Sequence, residues 1–288
     1  MDNYIICMDA SGDIIKEAAA GNGIEFVPME YSLGEEMRTS HGCESEEILK
    51  KFYDGQRGGD LTKTSQISPF MYEEYFQQFL EKGQSILYFC LSSGLSSTYQ
   101  SSILAAENLK EKYPDTEVLS VDTLAATGGI GLLVEKAIEN RDAGMDIHEN
   151  FESIKALVPH LRHFFMVQDL MYLKRGGRVS AATAIVGSAL NIKPILKIDE
   201  DGKLATIDKK RGNKAAMSAL FAYFKENYDP GLGNKIYICD GDAPELAESL
   251  AAKVEEAVPG ITVRRMMLSP IIGAHTGPGM LSMILFGH

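Results

Sequence analysis

The chain has 288 residues, of which 45% are hydrophobic, and carries a formal net charge of −12. That length and apolar content describe a globular protein with a core, built as one large domain or two of ordinary size. The acidity argues against nucleic acid and against docking on an anionic membrane, because nothing would neutralise the phosphates, and no apolar run reaches the roughly 18 residues of a membrane helix.

The N-terminal "MDNYIICMDA" has an acid where a secretion signal needs a base, and its apolar stretch is short. Cys7, Cys43, Cys90 and Cys239 are far apart, and three of them sit in apolar runs. They read as reduced thiols of a cytoplasmic protein. In chain order, "YIICMD" (4–9) is a buried strand, "DIIKEAAAG" a helix and "IEFVPM" (24–29) a second strand. Helices follow at 45–55 and 72–83, the first opening on acids and closing on glycine. Then come the strand "QSILYFCLS", the helix "SSTYQSSILAAENLKEKY", the strand "EVLSVD" and the helix "TGGIGLLVEKAIENRDAG". Short apolar strands, each followed by a helix, predict a parallel sheet flanked by helices. Such sheets bind ligands beyond the carboxyl ends of their strands. The polar loops after Asp9, Cys90 and Asp122 therefore share one rim.

Past residue 160 the pattern changes. "HFFMVQD" is a strand, "LMYLKRGG" a short helix, and "SAATAIVGSALN" (180–191) an apolar helix. "IKPILKID" and "KLATIDKKR" flank "EDG" as a hairpin. A helix over 213–228, the strand "KIYICDGD", the helix "PELAESLAAKVEEAV" and the strand "ITVRRMML" complete an α+β pattern. The last segment, "GAHTGPGMLSMILFG", reads as a loop running into a strand. The expected organisation is an N-terminal α/β domain over 1–160 and a C-terminal α+β domain over 161–288, with 61–82 packing toward the second.

Four polar islands stand out. "LSSGLSSTYQSS" (91–102) crowds Ser92, Ser93, Ser96, Ser97 and Thr98 ahead of a helix. One or two hydroxyls serve as caps, and the rest suit an anion. A phosphate loop is excluded, since no Gly-Lys-Ser/Thr follows. "LTKTSQISP" (61–69) reads as a loop with a cap at Ser68. "GAHTGPG" sets His275 between glycines, where the backbone can come close to a ligand. No histidine has metal-ligand spacing, and no Cys/His cluster exists. The basic islands "LKRGGRVS" and "KKRGNK" place Arg178 and Arg211 either in solvent or beside local carboxylates, or against an acidic partner or a phosphate. The glycines at 176–177 end a short helix.

Taken in this order, the islands resemble the DegV family of bacterial proteins. The matching stretches are "TSQISP", "SSGLSSTYQSS", "VDTLAATGGIGLLVEKA", "DLMYLKRGGRVSAATAIVGSALNIKPILKID", "DGKL" and "GAHTGPG". The resemblance spans nearly the whole chain, and its "YLKRGGRVS…LNIKPIL" stretch is highly specific. It implies a lipid tunnel between the two domains that holds one long-chain fatty acid such as palmitate or oleate, and no other cofactor. It also implies a partner, the ATP-binding subunit of a fatty acid kinase, which phosphorylates the acid; the chain itself would be non-catalytic. By this resemblance Thr64, Ser96 and His275 hold the carboxylate, with Ser93, Gly94 and Ser65 beside them, and Arg211 works with the kinase subunit. Two positions depart from the family pattern. Ala10 stands where a serine is usual, and Ser97 where a glycine is usual, which narrows the rim.

The chemistry suits such a ligand. Burying about fifteen methylenes contributes on the order of 12 kcal/mol before entropy. A hydrogen bond to the charged head adds about 1.5–3 kcal/mol, so the tail supplies affinity and the hydroxyls supply orientation. The alternative is a serine hydrolase acting on a lipid ester, with Ser96 or Ser93 as nucleophile, His275 as base and Asp9 or Asp122 orienting it. No Gly-x-Ser-x-Gly elbow supports that reading. A nucleotide-binding subunit is a third reading, with no phosphate loop behind it.

Overall fold

The structure, a computed structural model, describes residues 4–180 and 191–288. The apolar helix expected over 180–191 falls on residues 181–190, outside the described residues. From the N-terminus the elements are β1 (Tyr4–Asp9), α1 (Lys16–Gly21), β2 (Glu25–Val27), β3 (Met29–Leu33), β4 (Glu36–Ser40), α2 (Glu46–Gly58) and β5 (Thr62–Thr64). Next come α3 (Pro69–Leu80), β6 (Ser85–Cys90), α4 (Thr98–Lys110), β7 (Val118–Asp122), α5 (Gly128–Asp142) and α6 (Ile147–Leu157). The remainder comprises β8 (Leu161–Met166), α7 (Met171–Arg175), β9 (Ile192–Ile198), β10 (Leu204–Arg211), α8 (Gly212–Asn227), β11 (Lys235–Asp240), α9 (Pro244–Ala257), β12 (Thr262–Met267), α10 (Pro270–Thr276) and β13 (Leu281–Phe286).

The first sheet runs β2-β1-β6-β7 and is wholly parallel. Its central strands, "YIICMD" and "SILYFC", are almost entirely buried, as expected of strands covered on both faces. The helix pairs α3/α4 and α5/α6 pack against it. The second sheet runs β10-β9-β8-β13-β11-β12, antiparallel except for β11 beside β12, which are joined through α9. Side chains alternate along its strands. Phe164, Met166, Met283 and Leu285 face the core under α8 and α9, whereas Phe165, Ile284 and Phe286 face the parallel-sheet domain.

Helix α5 lies between the sheets and touches β1 and β6 on one side and β8, β11 and β13 on the other. Its N-terminal glycines permit this. A Cβ at Gly128 would lie 2.6 Å from the Tyr237 ring, and one at Gly129 would lie 2.1 Å from the His163 ring. Thr127, just ahead of the helix, has φ 51°, a region costly for a β-branched residue. Its hydroxyl donates to Asp13 Oδ2 at 2.6 Å, and Asp13 Oδ1 accepts from the Ser269 amide at 3.0 Å.

Two local structures differ from the sequence reading. The hairpin β3–β4 and strand β5 form a separate antiparallel sheet, β4-β3-β5. Its strands are short and partly polar, so alternation there is weak, although Gly34 marks the turn with φ 62°. The segment 270–276 is a helix rather than a loop. Ser269 occupies its N-cap, Pro270 its first turn, and Gly277 leaves it at φ 74°, which are ordinary start and stop signals.

Candidate functional site

A cavity of about 380 Å³ opens between the two domains. The parallel sheet meets it through the loops after its strands: Leu91 and Ser93–Ser97 after β6, and Ala126 and Thr127 after β7. The six-stranded sheet presents Phe165, His163, Ile198, Leu204, Ser282 and Ile284. Thr64 and Ser65 enter from the end of β5, and Ile271, Ile272 and His275 from α10.

The three loops do share one rim, and hydrogen bonds tie them together. Asp9 Oδ2 accepts from the Leu91 amide at 2.8 Å and from Tyr88 OH at 3.2 Å. Asp9 Oδ1 accepts from the Ser11 amide and hydroxyl. Asp122 Oδ1 accepts from the Ser93 amide at 3.1 Å, and the Ser92 amide donates to Ala125 O at 2.9 Å. Burial raises the Asp9 carboxyl above its ordinary value, against the pull of those four donors. Missing one family hydroxyl, the Asp9-Ala10-Ser11 loop still closes, because Ser11 supplies its own. From the other domain, the Gly202 carbonyl accepts from Ser92 Oγ at 2.7 Å.

Within this frame the expected head-group residues converge. Thr64 Oγ1 lies 2.8 Å from His275 Nε2. Ser96 Oγ accepts from the Thr98 amide at 3.3 Å and pairs with the Thr98 hydroxyl, one residue ahead of the α4 N-cap Ser97, whose own side chain makes no capping bond; Ser96 also lines the cavity. Ser65, Ser93 and Gly94 line the same end. His275 is pushed down to about 4, first by burial and then by the charge of Arg178, and is neutral near pH 7. Its ring fits only because residue 176 is glycine: a Cβ there would lie 2.1 Å from His275 Nδ1. Gly177, at φ 74°, ends α7 by sending its amide to Lys174 O while Arg178 N bonds Leu173 O. The two glycines thus have different tasks.

Arg178, which the sequence left among solvent, a local carboxylate and an acidic partner, has a definite place in the structure. It is half-buried and has no carboxylate partner among the described residues; it lines the cavity beside His275. Its Nε donates to Leu95 O at 3.1 Å and its Nη1 to Gly176 O. Burial lowers its pKa, which leaves a half-desolvated cation at the hydroxyl end. The signal was there, since the Gly-Gly turn aims the next residue back across the helix end. Arg211 is different: it is exposed at the end of β10 and does not line the cavity.

Among the described residues a hydrolytic triad is not assembled. His275 Nε2 faces a threonine, and Asp9 and Asp122 are engaged with backbone amides. Among the described residues no group of three or more His, Cys, Asp or Glu could hold a metal ion, and no helix is long and apolar enough to cross a membrane.

A parallel α/β domain and a second, sheet-rich domain enclose a cavity whose lining mixes apolar side chains with hydroxyls, two imidazoles and the Arg178 guanidinium. The chain belongs to the DegV family: the family model described as "Uncharacterised protein, DegV family" matches residues 4–287. A DegV domain-containing protein of Clostridium perfringens is 34% identical over 287 residues, covering 100% of this chain and 98% of that one. The structure of a DegV family protein from Thermus thermophilus, described by its fatty acid binding, superposes with a TM-score of 0.82 at 26% identity, over 99% of this chain and 100% of that one. The fold is also that of the Streptococcus pneumoniae Fatty Acid Kinase (Fak) B3 protein loaded with linoleic acid, with a TM-score of 0.87 at 22% identity, over 99% and 100% of the two chains.

Proposed function

We propose that the chain is a non-catalytic lipid carrier. It binds one long-chain fatty acid, with the tail in the interdomain cavity and the carboxylate at the end formed by Thr64, Ser96 and His275, with Ser93, Gly94 and Ser65 around it. The observation that carries this reading is the meeting of Thr64 and His275 at 2.8 Å in a cavity that Ser96 and Arg178 also line, Arg178 having no carboxylate partner among the described residues. Apolar burial supplies most of the affinity, and the polar end fixes which way the chain points. Fatty acid binding by the Thermus thermophilus relative supports the same ligand class.

The second half of the proposal concerns a separate ATP-binding kinase subunit, to which the carrier offers its carboxylate. Phosphoryl transfer needs an in-line nucleophile and charge stabilisation, which ATP, Mg²⁺ and the kinase subunit bring. The carrier's task is to hold the carboxylate without quenching it. Neutral donors from Thr64, Ser96 and His275 meet that need. Arg178 already donates to two carbonyls, so it acts as a neighbouring charge rather than a bidentate clamp. Exposed Arg211, away from the cavity, suits a subunit contact.

Mass spectrometry of lipid extracted from the purified protein tests the first half, and one bound fatty acid per chain is expected. Ser96→Ala should weaken binding of oleate or palmitate by roughly tenfold or more, the value of a hydrogen bond to a charged group. Unchanged binding and phosphorylation would remove Ser96 from the site. Arg211→Ala should load fatty acid normally but slow acyl-phosphate formation with a kinase subunit. Loss of lipid binding in that variant would contradict its assignment.

A further inference from the structure

A second histidine, His163, lines the cavity from the six-stranded sheet. Strands β8 and β13 pair so that Phe165 lies opposite Ser282, His163 opposite Ile284, and Leu161 opposite Phe286. All six side chains fall on the face toward the parallel-sheet domain, since residues two apart share a face. The first two pairs line the cavity and the third does not. Along these strands the cavity therefore ends at the rung of His163 and Ile284. Strand β13 starts just after α10, which carries His275, so this rung is one step farther along β13 from α10 than the rung of Phe165 and Ser282.

His163 is buried and has little room to yield. Its Nε2 lies 3.4 Å from Ala126 O. Gly129 backs the ring so closely that a Cβ there would sit 2.1 Å from Cε1 and 2.2 Å from Nε2. Burial pushes its pKa down to about 3, so the floor of the chamber is an uncharged ring. We propose that His163, held in place by Gly129, is the specificity-determining residue that sets the length of acyl chain the cavity accepts. The imidazole stops the terminal methyl, and the missing side chain at 129 fixes how far back the imidazole sits. This inference rests on the fatty-acid reading of the same cavity.

Its geometry predicts shifts in opposite directions from two substitutions. His163→Ala removes the stop and deepens the cavity. Gly129→Ala puts a methyl where the ring now lies and drives the ring toward the tail. The test uses delipidated full-length protein and a series of saturated fatty acids from twelve to twenty carbons, with affinity measured by displacement of a fluorescent fatty acid. The length optimum should lengthen by about two carbons or more in His163→Ala and shorten by a similar amount in Gly129→Ala, because close-packed interiors register a change of even one methylene. If His163→Ala does not fold, Gly129→Ala alone still decides, since only its shortening supports the proposal. The same optimum in wild type and variants, or shifts of the same sign, would overturn it. Wild-type protein that binds no member of the series would overturn the fatty-acid reading itself, and this inference with it.

Discussion

The cavity has two walls of different construction. The parallel sheet meets it end-on, so that wall consists of loops: backbone amides, glycines and hydroxyls held by carboxylates at the strand ends. The six-stranded sheet meets it face-on, so that wall consists of alternate side chains whose spacing follows from the pleat. The first construction places polar groups with freedom of backbone geometry, and it needs buried anchors such as Asp9 to stay in shape. The second gives a largely apolar surface, interrupted by His163 and Ser282, that depends mainly on packing. A ligand with a polar head and an apolar tail uses both.

The contrast can be broken most directly at the anchors. Asp9→Ala strands donors from Leu91, Tyr88 and Ser11, so it should cost about 3 kcal/mol or more, with each unsatisfied buried group contributing about 1–3. Ser282→Ala, on the face-on wall, loses one bond to Cys239 O and should cost only about 1 kcal/mol. Chemical denaturation of both variants checks the pair; equal losses would erase the distinction between the walls.

A smaller effect is expected where the walls touch. A Cβ on Gly94 would lie 2.5 Å from Asp201 O and 2.6 Å from the Gly202 carbonyl carbon. Gly94→Ala must push the hydroxyl loop off the β9–β10 turn, at about 1–3 kcal/mol as for other overpacked sites. A thermal melt should fall by several degrees. An unchanged melting temperature would mean that the contact yields freely.

The smallest effect comes from opposing titrations. Burial depresses His163 and His275 from 6.5 to about 3 and 4, and raises Asp13 and Asp240 from 3.8 to about 7 and 6. Below pH 6.5 the unfolded chain binds protons at the histidines that the folded chain refuses, so stability is lost there as pH falls. The aspartates act oppositely: the folded chain keeps protons that the unfolded chain releases, a contribution present below about pH 4 and lost as pH rises toward 7. Between pH 4.5 and 6.5 the two sets largely offset, and the melting temperature of the wild type should be nearly flat. Asp13→Asn removes one opposing group, so its melting temperature should fall more steeply on acidification than that of wild type. Parallel curves would show that Asp13 does not titrate as its burial implies.

Much of the end-on wall is legible in the sequence. Polar loops after apolar strands of a parallel sheet must fall at one rim, and the crowded hydroxyls at 92–98 mark which loop matters. His275 is legible as a residue but not as part of a helix, because its glycines mask the Ser269-Pro270 start and Gly277 stop. The face-on wall is far less legible. That His163 and Ile284 form one rung depends on pairing between strands 121 positions apart, and nothing local encodes it. Arg178 falls between the two cases: its place after two glycines is local, but the lack of a nearby carboxylate among the described residues is a property of the assembled cavity. The small sheet β4-β3-β5 escapes because its strands are too short and too polar to show a period.

Thr127 carries opposing demands on one residue. Its backbone sits at a positive φ that glycine would occupy easily, and such conformations cost about 1–3 kcal/mol in other side chains. Yet its hydroxyl reaches Asp13, which in turn holds the amide ahead of the helix bearing His275. Glycine at 127 would relax the chain locally and cut a link that runs from the mouth of α5 to the far domain. The fold tolerates a strained residue so that the mouth of α5 and the start of the helix bearing His275 stay in fixed register.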